Sequence, residues 1–167
     1  NSVIWPSPGN HDYAGRLTWP NDWGALPDYY RLFSMPTKGE GGGVASNSQA
    51  YYSFNYGNLH VVSLDSYGSY EDNKRMSDPN GKQMTWLKKD LSQNNQMWTI
   101  VFFHHPPFSK GSHNSDTEQE LIDIRQNLVK VFEDYKVDLV LTGHSHTYER
   151  SYPIRGFYGN SETFNVN

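Results

Sequence analysis

The chain has 167 residues with 14 basic and 18 acidic side chains, and its net charge of −4 leaves no basic footprint for nucleic acid or an anionic membrane surface. It contains no cysteine, which excludes a disulfide framework and any thiolate metal site. No apolar run approaches the roughly 20 residues of a membrane span, and with 15% aromatic content Tyr, Trp and Phe must supply much of the buried area.

The length suggests one domain over residues 1–167. The chain does not begin with Met and opens directly on an apolar stretch, Ser2–Trp5, that reads as a strand. A strand at the very start predicts an N-terminally incomplete domain. Pro6 and Pro8 lead into a loop at Gly9-Asn10-His11-Asp12. Residues 13–48 are rich in Trp, Tyr, Gly and Pro with little periodicity, and 38–48 is flexible by composition, a long surface excursion.

Two strands follow, Tyr51–Asn55 and Leu59–Asp65, joined by a hairpin signal at Tyr56-Gly57-Asn58. The second is apolar almost throughout and is expected to be covered on both faces. Within it, His60 reads as a satisfied core or edge histidine. Residues 66–80 are a polar loop. Met84, Leu87 and Leu91 share one face of a helix over Lys82–Gln93.

Met97–Phe103 is a buried strand ending at His104-His105-Pro106-Pro107. A helix is predicted over about 117–135, from a repeat near 3.6 and a capping box at Thr117 and Glu120. Val137–Leu141 is the next buried strand. The order strand–helix–strand–helix–strand across 59–141 predicts a mixed α/β fold with adjacent buried strands.

Three loops follow three apolar strands: Asn10-His11-Asp12, His104-His105 and Gly143-His144-Ser145-His146. Five of the seven histidines sit there. Ligands of open α/β sheets bind outside the carboxyl ends of strands, so neighbouring strands would make these loops converge. In an extended segment residues i and i+2 share a face, so His144 and His146 can address one ion, or two about 3.5–4 Å apart. Each feature also has a plain reading. A lone His after a strand is usually structural, Asn and Asp favour turns, His105 can simply precede a Pro-Pro corner, and His113 can be a solvated loop residue. Three loops in register, each at a strand end, lift the set above those readings.

Gly9-Asn10-His11-Asp12, Val101-Phe102-Phe103-His104 and Gly143-His144-Ser145-His146 resemble, in order, the GNH(D/E), VxxH and GHxH motifs of calcineurin-like metallophosphoesterases. His146-Thr147-Tyr148-Glu149-Arg150-Ser151-Tyr152-Pro153 and Tyr52–His60 look like purple acid phosphatases. The resemblance implies an αββα sandwich of mixed sheets and a two-metal phosphoesterase. It implies that Asn10, His104 and His144 bind a divalent ion (Zn, Mn or Fe), and that His146 binds the other, ferric ion. His11 would contact the phosphate and protonate the leaving group. His113 resembles the substrate-side histidine of purple acid phosphatases. Asn114 stands where those enzymes often have a second His.

Two further motifs of that family supply an Asp, a metal-bridging Asp and a Tyr, and none can be placed here. The expected fold therefore lacks its N-terminal strands. The ligands present are one amide and three imidazoles, facing a charge of roughly +4 or +5 from two hard cations that want oxygen anions. Asp12 and Asp65 are not obvious bridges. The complete enzyme is expected to hold two ions and cleave phosphate monoesters by attack of a metal-activated water. This chain is expected to hold one ion weakly through Asn10, His104 and His144, or none, and to be weakly active or inactive. The alternative is a noncatalytic metal- or phosphate-binding module of the same fold. An exposed sheet edge predicts self-association. The family implies a secreted or periplasmic location.

Overall fold

The computed structural model describes residues 3–13, 28–68 and 74–165. They form four strands, β1 (Tyr52–Tyr56), β2 (Leu59–Ser63), β3 (Trp98–Phe102) and β4 (Leu139–Leu141). Four helices accompany them, α1 (Asp28–Leu32), α2 (Lys82–Gln93), α3 (Gln119–Asn127) and α4 (Val129–Asp134). Short 3-10 turns lie at Asn10–Tyr13 and Ser161–Thr163. The sheet order is β1-β2-β3-β4, with β1 antiparallel to β2 and the other pairs parallel. Among the described residues no helix is long and apolar enough to cross a membrane.

The hairpin, α2, β3 and the helical region after residue 117 lie where the sequence places them. The expected helix over 117–135 is broken at Leu128, yet Leu128 N–H still donates to the Ile124 carbonyl (2.9 Å) and Phe132 N–H to that of Leu128 (3.1 Å). The break is one residue's departure from a continuous path. The capping box does not form. Glu118 is the N-cap residue and Thr117 Oγ1 turns back to the Asn114 carbonyl (3.4 Å).

Alternation along the strands sends one set of side chains towards the helices. Val62, Val101 and, just past the strands, Leu64 and Phe103 pack with Met84, Trp86, Leu87 and Leu91 of α2 and with Ile124, Leu128, Val131 and Phe132. This is the core. His60 is buried on the same side, its Nε2 2.7 Å from an Asp90 carboxylate oxygen and its Nδ1 2.8 Å from Asn55 Oδ1. It is the satisfied core histidine that its place inside a strand suggested.

The other face differs from expectation. Val61 and Ile100 are half-buried, and Leu139 and Leu141 are 47% and 51% exposed. β2 is covered fully on one face only, and β4 is an exposed edge strand rather than a buried one. The expected strand at the start is also absent over Val3–Trp5, where Val3 and Ile4 are exposed; Ser2 lies outside the described residues. A strand needs a neighbour to pair with, and this segment is held by side chains instead. Trp5 stacks on Phe54 at 4.1 Å, and the Pro6 carbonyl accepts from Tyr52 Oη (2.7 Å) and Tyr29 Oη (3.3 Å). Pro6 and Pro8 could not donate to a ladder in any case.

Residues 38–48 are tied down despite their composition. Asn55 N–H donates to the Gly41 carbonyl (2.8 Å), Val44 N–H to the buried Asp90 carboxylate (2.7 Å), and Trp86 Nε1–H to the Val44 carbonyl (2.9 Å). Gly43 has φ 105, and a Cβ there would meet Ser53 Oγ at 2.1 Å, so glycine is what lets this segment lie against β1. Residues 14–27 of the predicted excursion, and 69–73 of the predicted polar loop, lie outside the described residues.

Candidate metal centre

The parallel register fixes where the site forms. Ser63, Phe102 and Leu141 lie in one row across β2, β3 and β4. The three strands end level, and the ladder runs on, with Gly143 N–H donating to the His104 carbonyl (2.9 Å). The loops carrying Asp65-Ser66, His104-His105 and Gly143–His146 therefore emerge side by side at the carboxyl edge, as ligand-binding sheets of this kind require.

The first loop reaches this edge by a different route. Asp12 N–H donates to the Gly9 carbonyl (3.1 Å), and the Asp12 carboxylate accepts from Gly9 N–H (2.7 Å). That closed turn holds Asn10 forward. Gly9 lies against the His104 ring, and a Cβ would come within 2.9 Å of His104 Nδ1. Tyr13, buried, anchors the end of the turn by donating its hydroxyl to the Asp65 carboxylate at 2.6 Å.

Three donor atoms converge. His104 Nε2 lies 2.7 Å from Asn10 Oδ1 and 3.0 Å from His144 Nδ1. The buried His105 packs edge-on against His104 (4.9 Å) and tilted against His144 (4.4 Å). His105 N–H donates to Ser66 Oγ, and the same oxygen lies within hydrogen-bond reach of His105 Nδ1, both at 2.9 Å. His113 stacks on His144 at 3.7 Å with 25° between planes, and its Nδ1 meets Glu118 Oε2 at 2.7 Å.

His144 and His146 sit in the left-handed region, at φ 68 and φ 52. Histidine tolerates this better than most residues but at a cost. The buried Ser145 between them holds the turn. Its carbonyl accepts from Ser112 Oγ (2.6 Å) and its Oγ pairs with Ser109 Oγ, which donates to Glu149 Oε2 (2.7 Å).

Burial pushes His104 down to about 4 and His105 down to about 3, helped in both by neighbouring imidazoles. His144 is lowered too, by burial and then by His113, with Glu118 opposing. Burial alone would raise Glu118, but the Asn114 N–H and His113 outweigh it and hold the carboxyl below its usual range. Near neutral pH His104, His105 and His144 are therefore uncharged rings, the protonation state from which imidazole binds metal.

These donors fit one divalent ion. Asn10, His104 and His144 present one oxygen and two nitrogens to a common point, with His105 alongside. They do not make up a second site. His146 is exposed, belongs to neither grouping of metal-competent side chains, and is felt at the cluster only through its electrostatic effect on His144. Asp12 is occupied by Gly9, and Asp65 is buried under Tyr13, the Tyr67 N–H and the Gly68 N–H. His11 is exposed on the turn beside Asn10. His105, Ser66 and Glu118 had no part in the sequence-based site. A second imidazole directly after His104 was the one available hint.

The chain belongs to the calcineurin-like phosphoesterases, whose family model matches residues 2–148. Among its relatives is purple acid phosphatase 23 of Arabidopsis thaliana, 37% identical over 126 residues, covering 73% of this chain and 24% of that protein. Acid phosphatase type 7 of Danio rerio is 29% identical over 180 residues, covering 96% of this chain and 37% of that protein. The chain thus spans well under half the length of these curated relatives. A solved purple acid phosphatase from Lupinus luteus seeds overlaps 68% of this chain and 20% of its own, at 21% identity and TM-score 0.49.

Proposed function

We propose that this chain carries part of the active centre of a purple acid phosphatase-like hydrolase acting on phosphate monoesters. The observation that carries the reading is the meeting of Asn10 Oδ1, His104 Nε2 and His144 Nδ1 at the level ends of parallel strands. These three would hold a divalent ion, which supplies Lewis-acid polarisation of a phosphoryl oxygen and acidifies a coordinated water.

The remaining roles fall to side chains of the chain itself. His11, exposed on the turn next to Asn10, stands free to deliver a proton to the departing alkoxide oxygen. His113, stacked on His144, lies on the substrate side and orients the phosphoryl group. His146, assigned by resemblance to a second ion, has no companion donors among the described residues.

A second reading has a specific observation behind it. The donor set contains no carboxylate to balance a divalent charge, which suits a noncatalytic metal- or phosphate-binding module. Calorimetric titration with Zn2+ and Mn2+, run beside hydrolysis of p-nitrophenyl phosphate, separates the two. Turnover that rises with metal and is lost in His104→Ala supports the hydrolase. Binding without turnover fits the module and also a part of a hydrolase that is inactive on its own. No metal binding sensitive to His104→Ala sinks both.

A further inference from the structure

His113 and Glu118 form a pair that the proposed function does not itself explain. Together with His144 they also qualify by proximity as a metal-binding group. Ring geometry argues against that use. The His113 and His144 rings are 3.7 Å apart and only 25° from parallel. Ring-nitrogen lone pairs lie in the ring plane, so those of two stacked rings run alongside each other. They cannot meet at one ion about 2.0–2.1 Å from each without turning a ring. His113 Nδ1 is moreover taken, at 2.7 Å from Glu118 Oε2.

Glu118 is itself held firmly. Its other oxygen accepts from Asn114 N–H at 2.6 Å, and its own backbone N–H donates to the Asn114 carbonyl at 3.0 Å, at the entry to α3. The His113 backbone is held as well, its N–H donating to Ser145 Oγ (3.3 Å). A carboxylate accepts and does not donate, so the His113 Nδ1 facing it must carry the proton. One face of the ring is packed on His144, one nitrogen is bound to Glu118, and Nε2 is the polar atom left to meet a ligand.

We propose that Glu118 is the positioning residue of His113, fixing its ring plane and tautomer so that Nε2 faces the phosphoryl group of a bound phosphate monoester. This rests on the reading of His113 as a substrate-side residue. It assigns Glu118 the part that carboxylates play behind working histidines elsewhere, in which the residue acts through another and touches neither metal nor substrate.

The test is imidazole 15N NMR of the full chain, with inorganic phosphate as the probe, on wild type, Glu118→Gln, Glu118→Ala and His113→Ala. In wild type the His113 Nδ1 signal should be that of a protonated nitrogen, and phosphate should shift Nε2. Glu118→Ala should leave a mixture of tautomers and weaken phosphate binding by about tenfold. Glu118→Gln, which keeps one acceptor oxygen, should recover the tautomer. Glu118→Ala combined with His113→Ala should lose no more than His113→Ala alone. A bare Nδ1 in wild type overturns the proposal without any variant. A phosphate response undiminished by Glu118→Ala overturns the role of Glu118 alone. A protonated Nδ1 with no phosphate response overturns the substrate-side reading of His113, and the proposal with it.

Discussion

The Tyr13 hydroxyl donates to the buried Asp65 carboxylate at 2.6 Å, joining the turn that carries Asn10 to the end of β2, 52 residues away. Asp65 also accepts from the Tyr67 and Gly68 N–H groups at 3.0 and 3.3 Å. Burial nonetheless dominates, and Asp65 is pushed up to about 7, Tyr13 well above its usual range.

A raised carboxyl gives a definite sign. The folded chain binds this proton more tightly than the unfolded one, so the contribution is complete below the ordinary Asp range and is lost as pH rises to about 7. Asp65→Asn keeps the shape without the titration. Wild type should lose on the order of 2–3 kcal/mol relative to Asp65→Asn between pH 5 and pH 8. Denaturant melts of both chains across that range measure it, and parallel curves would refute it. Tyr13→Phe should cost about 1–3 kcal/mol at pH 5.

The site histidines act in the opposite direction. His104 and His105 titrate near 4 and 3, below an ordinary imidazole, so their contribution is present above about pH 6.5 and lost as pH falls through those values. Bound metal competes with the same protons, and His104 and His144 are both lowered, so zinc affinity should fall on acidification only at a pH below that of an ordinary imidazole site. Calorimetry at stepped pH would show it. A steep fall already at pH 6.5 would mean that the rings are more accessible than their packing indicates.

The turn bearing His144 and His146 gives a third expectation. Ser145→Ala removes the hydroxyl that ties the left-handed turn to Ser109. We expect a loss of about 1 kcal/mol in stability and about tenfold in zinc affinity, the usual effect of loosening a ligand's support. Equal zinc affinity in the two chains would show that the turn is held by its backbone bonds alone.

Many features of this arrangement were legible in the residues. Periodicity located α2 to the residue, and the turn signal at Tyr56-Gly57-Asn58 located the hairpin. His104 and His144 could be grouped because strand polarity puts successive loops of a parallel sheet at one edge, whereas Asn10 was grouped with them through a first strand that does not form, and its turn is tied to that edge by Tyr13 and Asp65. What could not be read were outcomes of partner choice. Val3–Trp5 is as apolar as β3 but has no ladder beside it in the described structure, and β4 is as apolar as a core strand yet lies at an edge. His105 and Glu118 were hidden for another reason. Their roles depend on what the neighbouring ring does, and spacing along the chain carries no record of ring orientation.

β4 also yields a prediction about association. Three residues long, with Leu139 and Leu141 about half exposed, it leaves its outer side open among the described residues. Such edges recruit other strands. Sedimentation velocity should show concentration-dependent oligomers that disappear in Leu139→Glu/Leu141→Glu. A monodisperse wild type at high concentration would count against the idea.

The common row of Ser63, Phe102 and Leu141 has a consequence for how this molecule tolerates sequence change. Deleting one residue inside β3 would draw His104 back by about 3.3 Å and swing its ring to the reverse surface of the pleat. Hydrophobic content would hardly alter, yet the binding chemistry would be gone. Length changes are therefore tolerable in the excursions between strands and intolerable within them, because the count of pleats is what aims the imidazole.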